Sequence, residues 1–184
     1  SLNSIFSWLF NMKLVGVINN PNANRNRRGK VNPKVLKSLV PSDLFKVTED
    51  HNGSLDEAVR NLDYEGVNVV ASGGGDGTFQ RVLTSYMINT RNRELPLFLI
   101  LKSGTVNLLA NSIGCTSKPE LALKKVVDTP LDNLKIHELR TLYVTSDGKD
   151  YYGTVFADSA VYNFINRYND KTFLGETSVK KAWQ

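Results

Sequence analysis

The stretch ASGGGDGTFQRVL (71–83) places four glycines and one aspartate in five consecutive positions, directly after an apolar run. Glycine costs backbone entropy in any regular element, so such a cluster marks a tight turn or a close approach to the main chain. Between a strand and a helix, a glycine turn can aim successive N–H groups at one point. The helix N-terminus adds partial positive charge, and together they make an anion site. An aspartate inside that nest would repel a phosphate. Asp76 makes sense there if it holds a magnesium ion, usually through water, or takes a proton from an attacking hydroxyl. Phosphoryl transfer uses both services. A plain tight turn with Asp76 in a local Asx bond accounts for the same residues, and under either reading Thr78 is suited to cap the following helix. The cluster is neither a P-loop nor a G-x-G-x-x-G fingerprint, because position 78 is threonine and no Gly-Lys pair follows. A dinucleotide-dependent oxidoreductase loses support.

The flanking pattern supplies the strand and the helix that such a turn needs. KLVGVIN (13–19), LFKVT (44–48), VNVVA (67–71) and LFLIL (97–101) read as strands, and the unbroken apolar run of the third suits a strand covered on both faces. VNPKVLKSLV reads as a short helix, and SLDEAVRNL (54–62) as another, with Ser54 as N-cap and Glu57 at capping-box spacing. After the glycines, Phe79, Val82, Leu83, Tyr86 and Met87 recur as one face of an amphipathic helix. A second unit follows the fourth strand: KSGT, then Val106, Leu109, Ala110 and Ile113 at helical spacing, closed by Gly114. This alternation predicts an α/β fold, a mainly parallel Rossmann-like sheet with helices on both faces. Beyond about Leu131 the chain turns rich in tyrosine, valine and threonine, with Asp147-Gly148 as a hairpin turn, which predicts antiparallel sheet. Tyr143, Tyr151, Tyr152 and Phe156 are expected to pack it. The predicted divisions are 1–12, an N-terminal extension or tag of which residues 1–11 precede Met12, which reads like a natural start; 13–130, the α/β domain; and 131–184, a partial β-rich domain.

With 184 residues, 41% of them hydrophobic and 22% charged, the chain suits one well-buried domain and a small appendage. A net charge of +5 favours an anionic partner such as nucleotide phosphate, a membrane surface or nucleic acid. No interleaving of aromatic and basic residues supports nucleic acid. Arg25, Arg27, Arg28 and Lys30 form a basic loop that either reaches such an anion or is simply solvated. Cys115 is the single cysteine, so no intrachain disulfide or cysteine-based zinc site can form; packing is its simplest role, and a reducing cytoplasm fits. His51 and His137 are isolated, without metal-ligand spacing. The opening SLNSIFSWLF is too short to span a bilayer, though Phe6, Trp8, Leu9 and Phe10 leave a surface-anchoring turn open. The sequence also leaves a homo-oligomer open.

GGGDGT, followed some way on by SGTVNLLANSIG, resembles the diacylglycerol kinase catalytic-domain family, which also includes sphingosine kinases and bacterial lipid kinases. INNPNA (18–23) resembles the family's Asn-Pro element, and VTEDHNGSLDEAV its second-strand threonine and following helix. The resemblance implies an ATP-dependent kinase fold, with the nucleotide held between the glycine-rich N-terminal domain and a β-sandwich, and with a lipid or sphingoid hydroxyl at a membrane surface as acceptor. By position it implies that Asn20 and Thr48 lie beside the nucleotide. Gly73, Gly74, Gly75, Gly77 and Thr78 would wrap the phosphates, with Asp76 organising Mg2+ or the reacting hydroxyl. Gly104 and Thr105 would form a second phosphate-side turn, braced by Asn107.

Three departures qualify the resemblance. Gln80 and Arg81 stand where the family often has asparagine-glutamate. Leu108 stands where it often has aspartate, and is expected on a buried helix face. The family's late Asp-Gly-Glu element has no counterpart, since SDGKD (146–150) matches in neither place nor surroundings. A fragment of a longer polypeptide is therefore expected, one that binds nucleotide but does not turn over alone. Two alternatives stay open: an NAD kinase-like enzyme, whose motif GGDGTF approaches, and a non-catalytic nucleotide-binding pseudokinase.

Overall fold

The computed structural model describes residues 13–48, 52–90 and 94–154. All of them belong to one compact unit that ends at Thr154. The opening SLNSIFSWLF, His51, Phe156 and the C-terminal stretch lie outside the described residues.

In chain order the elements are β1 (Val15–Asn19), α1 (Asn24–Arg27), α2 (Pro33–Ser38), β2 (Phe45–Val47), α3 (Asn52–Tyr64), β3 (Val69–Gly74), α4 (Asp76–Asn89), β4 (Leu97–Lys102), α5 (Leu108–Ser112), α6 (Pro119–Asp128), β5 (Leu142–Ser146) and β6 (Lys149–Gly153). The first four strands form one parallel sheet in the order β2-β1-β3-β4. This is the α/β architecture that the alternating pattern predicts, and a small antiparallel hairpin of β5 and β6 follows it.

Period-2 alternation feeds the two faces of the sheet. Val15, Val17, Val69, Ala71 and Leu101 point to one side, where Leu36 of α2 and Leu123 of α6 cover them. Ile18 and Val70 point to the other, against Val59 and Leu62 of α3 and Val82 and Tyr86 of α4. A third cluster joins Phe79 and Leu83 of α4 to Ile100, Leu109 and Ala110. Gly16 lies on the α3 side, where a Cβ would come within 2.9 Å of Leu62 Cδ2, so the closeness of α3 to the sheet requires glycine there.

Local chemistry sets the element ends. Asn32 caps α2 by accepting the Lys34 N–H at 3.0 Å, with Pro33 as first helical residue. Gly66 and Gly114 take left-handed φ values of 71° and 72° just beyond α3 and α5, as helix-ending glycines do. Asp147 and Gly148 both have positive φ, the two-residue turn that matches strand twist in a hairpin. Thr84 of α4 holds that hairpin: its Oγ1 donates to the Tyr152 carbonyl at 2.9 Å and accepts the Tyr152 N–H at 3.0 Å.

Several local expectations are corrected. α3 is already helical at Asn52, so Ser54 sits within its first turn instead of capping it. β3 runs on through Gly73 and Gly74, making those glycines strand residues. Tyr151, 43% exposed, lies on the other face of the hairpin from Tyr152, which packs against the α4 cluster; Tyr143, though 57% exposed, is Tyr152's cross-strand partner and packs on it with ring centroids 5.0 Å apart. Leu108 is 58% exposed and is no buried face of α5.

Candidate functional site

The strand order reverses between β1 and β3: the chain leaves β1 for β2 on one side and β3 for β4 on the other. At such a switch point the connections diverge and leave a crevice beyond the carboxyl ends of the two strands. Asn19 of β1 pairs in register with Gly73 of β3, so Asn20 and the glycine run meet there. β4 ends alongside, bringing in Ser103 and Gly104.

The glycines divide by cause. A Cβ on Gly73 would lie 2.6 Å from Asn19 Oδ1, and one on Gly74 would overlap the Thr78 side chain. A Cβ on Gly104 would overlap Gly75 Cα and approach Gly75 N to 3.2 Å. Those three positions need glycine for the chain's own packing. Gly77 differs: it is exposed, nothing lies within 4 Å of a Cβ placed there, and its backbone does not demand glycine. The space beside its missing side chain opens at the start of α4, whose N-cap, Gly75, supplies no side-chain cap. A phosphate fits this site on that ground: an uncapped helix N-terminus beside a position whose bareness serves no internal contact.

Asp76 is the first residue of α4, and its carboxylate reaches across to the second turn. Oδ2 accepts the Leu108 N–H at 2.9 Å and Oδ1 the Leu109 N–H at 3.0 Å, which satisfies the start of α5. Asn107, in left-handed conformation with φ 53°, ties the same turn reciprocally: its Oδ1 accepts the Gly104 N–H and its Nδ2 donates to the Gly104 carbonyl, both at 3.0 Å. No group of three or more His, Cys, Asp or Glu side chains able to hold a metal occurs among the described residues. A magnesium ion would therefore take Asp76 as a protein carboxylate and find its other ligands in phosphate oxygens and water, the usual division for this ion.

Thr78 lies within the first turn of α4 instead of capping it, and its Oγ1 accepts Asn20 Nδ2 at 3.1 Å. Asn20 is buried; its Oδ1 accepts the Asn22 N–H at 2.8 Å and its own N–H donates to the Gly73 carbonyl at 3.0 Å. Asn20, the glycines, Asp76, Thr78, Gly104, Thr105 and Asn107 thus converge on one crevice. Thr48, buried after β2, joins only through its N–H to the Asn19 carbonyl at 3.0 Å. Gln80 faces the hairpin, with its amide group near Gly153, away from the glycine turns.

Three residues at the crevice escaped the sequence reading. Asn24 Nδ2 donates to Thr105 Oγ1 at 2.9 Å. Asn26 Nδ2 donates to the Asn20 carbonyl at 2.6 Å and reaches the Gly73 carbonyl and Asn19 Oδ1 at 3.1 Å each. Ser103 is fully buried, and its carbonyl accepts the Arg25 N–H at 2.9 Å. The available signal was five asparagines among residues 19–26, a density that bare solvated loop does not need. Arg25 itself turns inward, donating from Nη1 to the Lys102 carbonyl at 3.2 Å.

The model of the diacylglycerol kinase catalytic domain matches residues 14–139. No curated protein matches the chain. Among solved structures the chain is similar to one provisionally designated a diacylglycerol kinase, from Bacillus anthracis str. Sterne, with 17% identity and a TM-score of 0.47 over 76% of this chain. The present chain spans 61% of that structure's length. Since the family model takes in β1 through α6 and both glycine turns, the chain belongs to the diacylglycerol kinase catalytic-domain family.

Proposed function

We propose that the chain is the nucleotide-binding part of an ATP-dependent lipid kinase, which in its full-length form transfers the γ-phosphate of ATP to a lipid or sphingoid hydroxyl. The observation that carries this reading is the main-chain contact of Gly75 with Gly104, which sets two strand-to-helix turns side by side at the switch point. Bound Mg-ATP would supply the phosphoryl group and the divalent charge that steadies it. The chain's residues do the rest. The start of α4 and bare Gly77 receive phosphate oxygens, Gly73, Gly74 and Gly75 let the main chain approach, and Asn20 fixes Thr78 at the rim. Asp76 stands between the turns, where its free lone pairs face the metal or the attacking hydroxyl. Gly104 and Thr105 close the second side, with Asn107 holding the turn in shape. Thr48 lies beside the nucleotide at the β2 edge. A lipid acceptor requires peripheral contact at a membrane, and the single cysteine suits a reducing cytoplasm; no helix among the described residues is long and apolar enough to cross a membrane.

One observation favours a second reading. Both Asp76 oxygens already accept helix N–H groups, as they would in a nucleotide-binding protein without turnover. A single assay separates the readings: full-length protein is given labelled ATP with diacylglycerol, sphingosine or NAD as acceptor. Phosphorylated lipid is the expected product. Phosphorylated NAD alone would replace the acceptor class, and ATP binding without any product would establish the pseudokinase.

A further inference from the structure

The single-turn helix α1 contacts three chain segments that the crevice needs, through its two asparagines and Arg25. Asn26 binds the end of β1 through the Asn20 carbonyl and Asn19 Oδ1, and the end of β3 through the Gly73 carbonyl. Asn24 binds the second turn through Thr105 Oγ1, and the Arg25 main chain binds it through the Ser103 carbonyl. Three acceptors around one amide nitrogen fix which end of the Asn26 side chain points at them. Its Oδ1 is buried without a partner among the described residues, as is Oδ1 of Asn24. Burying an unpaired amide oxygen carries a cost, so the donor end must return more than that cost.

We propose that Asn26 is a positioning residue for phosphate binding, with Asn24 as its counterpart at the second turn. Asn26 touches no phosphate itself. It holds the Gly73 carbonyl and the Asn20 backbone together, and Asn20 in turn holds Thr78. Releasing Asn26 loosens the register of the first glycine turn against β1; releasing Asn24 loosens Thr105 alone. The proposal rests on the kinase reading above for what the turns bind, and on the hydrogen bonds alone for what holds them.

Asn26→Asp tests it, because the side chain keeps its shape while the ionised carboxylate can donate nothing and faces three oxygens. Amide hydrogen exchange of Asn20, Asn22 and Phe79, whose N–H groups are paired at the first turn, is expected to rise about tenfold, in line with the loss of a buried hydrogen bond. Exchange in α6, on the far face of the sheet, stays at the wild-type rate. In full-length protein KM for Mg-ATP rises about tenfold while kcat changes little, since positioning for binding is what is lost. Lowering the pH protonates the introduced carboxyl, restores a donor and narrows the difference. Unchanged exchange at Asn20, Asn22 and Phe79, or a rise shared equally by α6, overturns the proposal. Should Asn26→Asp fail to fold, Asn24→Ala carries the test: exchange must then rise at Gly104, Leu108 and Leu109 and not at Asn20, Asn22 and Phe79, and the opposite pattern overturns it. Wild-type protein that binds no Mg-ATP would remove the nucleotide reading and the phosphate half of the proposal, whereas the exchange data still decide what holds the turns.

Discussion

A Cβ on Gly75 would lie 3.1 Å from Gly104 Cα, so two turns far apart in sequence touch main chain to main chain. Gly104→Ala must push one backbone off the other, an overpacking that costs about 1–3 kcal/mol. Gly77→Ala meets open space in the first turn of α4, where alanine in place of glycine gains up to about 1 kcal/mol. Thermal denaturation should show Gly104→Ala melting lower and Gly77→Ala melting higher than wild type. An ATP titration should nonetheless show Gly77→Ala binding more weakly, because its methyl group fills the phosphate space. Wild-type affinity in that variant would take Gly77 out of the phosphate site.

Asp76 has two separable duties, the charge in the crevice and the cap on α5. Asp76→Asn keeps one acceptor oxygen and should retain most of the stability, while turnover of full-length protein falls to background. Asp76→Ala loses both hydrogen bonds and should cost about 1.5–3 kcal/mol in addition. Denaturant titrations of both variants, read beside phosphate transfer, check the separation. Undiminished turnover in Asp76→Asn would remove Asp76 from the chemistry and leave it as a cap.

Tyr86 is buried under Phe98 with its hydroxyl unpartnered among the described residues. Burial, and secondarily the negative charge of Asp63, raises its phenol well above the ordinary tyrosine range. The folded chain therefore keeps this proton after the unfolded chain has lost it. The contribution to stability is whole below the unfolded value of about 10 and declines as pH rises above it. Tyr86→Phe should be at least as stable as wild type near neutrality, by about 1 kcal/mol, and should lose less above pH ~10. Urea titrations at the two pH values decide; a destabilised variant would mean that the hydroxyl has a partner after all.

The hairpin hangs on Thr84, which pairs with both the N–H and the carbonyl of Tyr152. Thr84→Val keeps the shape and removes both bonds. Amide exchange across β5 and β6 should quicken while ATP affinity stays at the wild-type level. Equal protection in both proteins would show that the Tyr152 side chain, packed on α4, suffices to hold the hairpin.

Much of the fold was legible because it is periodic. The apolar spacing of Phe79, Val82, Leu83 and Tyr86 gave α4, and short apolar runs gave the four parallel strands. Helix α6 carries the same signal, with Pro119 at its start and Ala122, Leu123 and Val126 at helical spacing. Glycine is ambiguous by type alone, so Gly73 and Gly74 as strand residues could not be separated from Gly77 in the first turn of α4. Leu108 is expected on a buried face by its apolar type alone; it lies off the spacing of Leu109, Ala110 and Ile113 and faces solvent, because α5 is one short turn with Leu109 and Ala110 as its covered side. The ties from Asn24 and Asn26 were out of reach for a different cause: hydrogen bonds between loops have no period, and only spatial neighbours reveal them.

The register of Asn19 with Gly73 also bears on how the molecule comes together. Parallel neighbours separated by a crossover form late, because the entropy of closing the intervening chain must be met before any native contact repays it. The crevice exists only once β1 and β3 have joined, so a half-folded chain offers nothing for an anion to grip. Any nucleotide held there favours the completed sheet alone, by about 2.7 kcal/mol at a concentration one hundred times its Kd. The ligand thereby acts as a late fastener of the fold, slowing escape from the native basin without guiding entry to it.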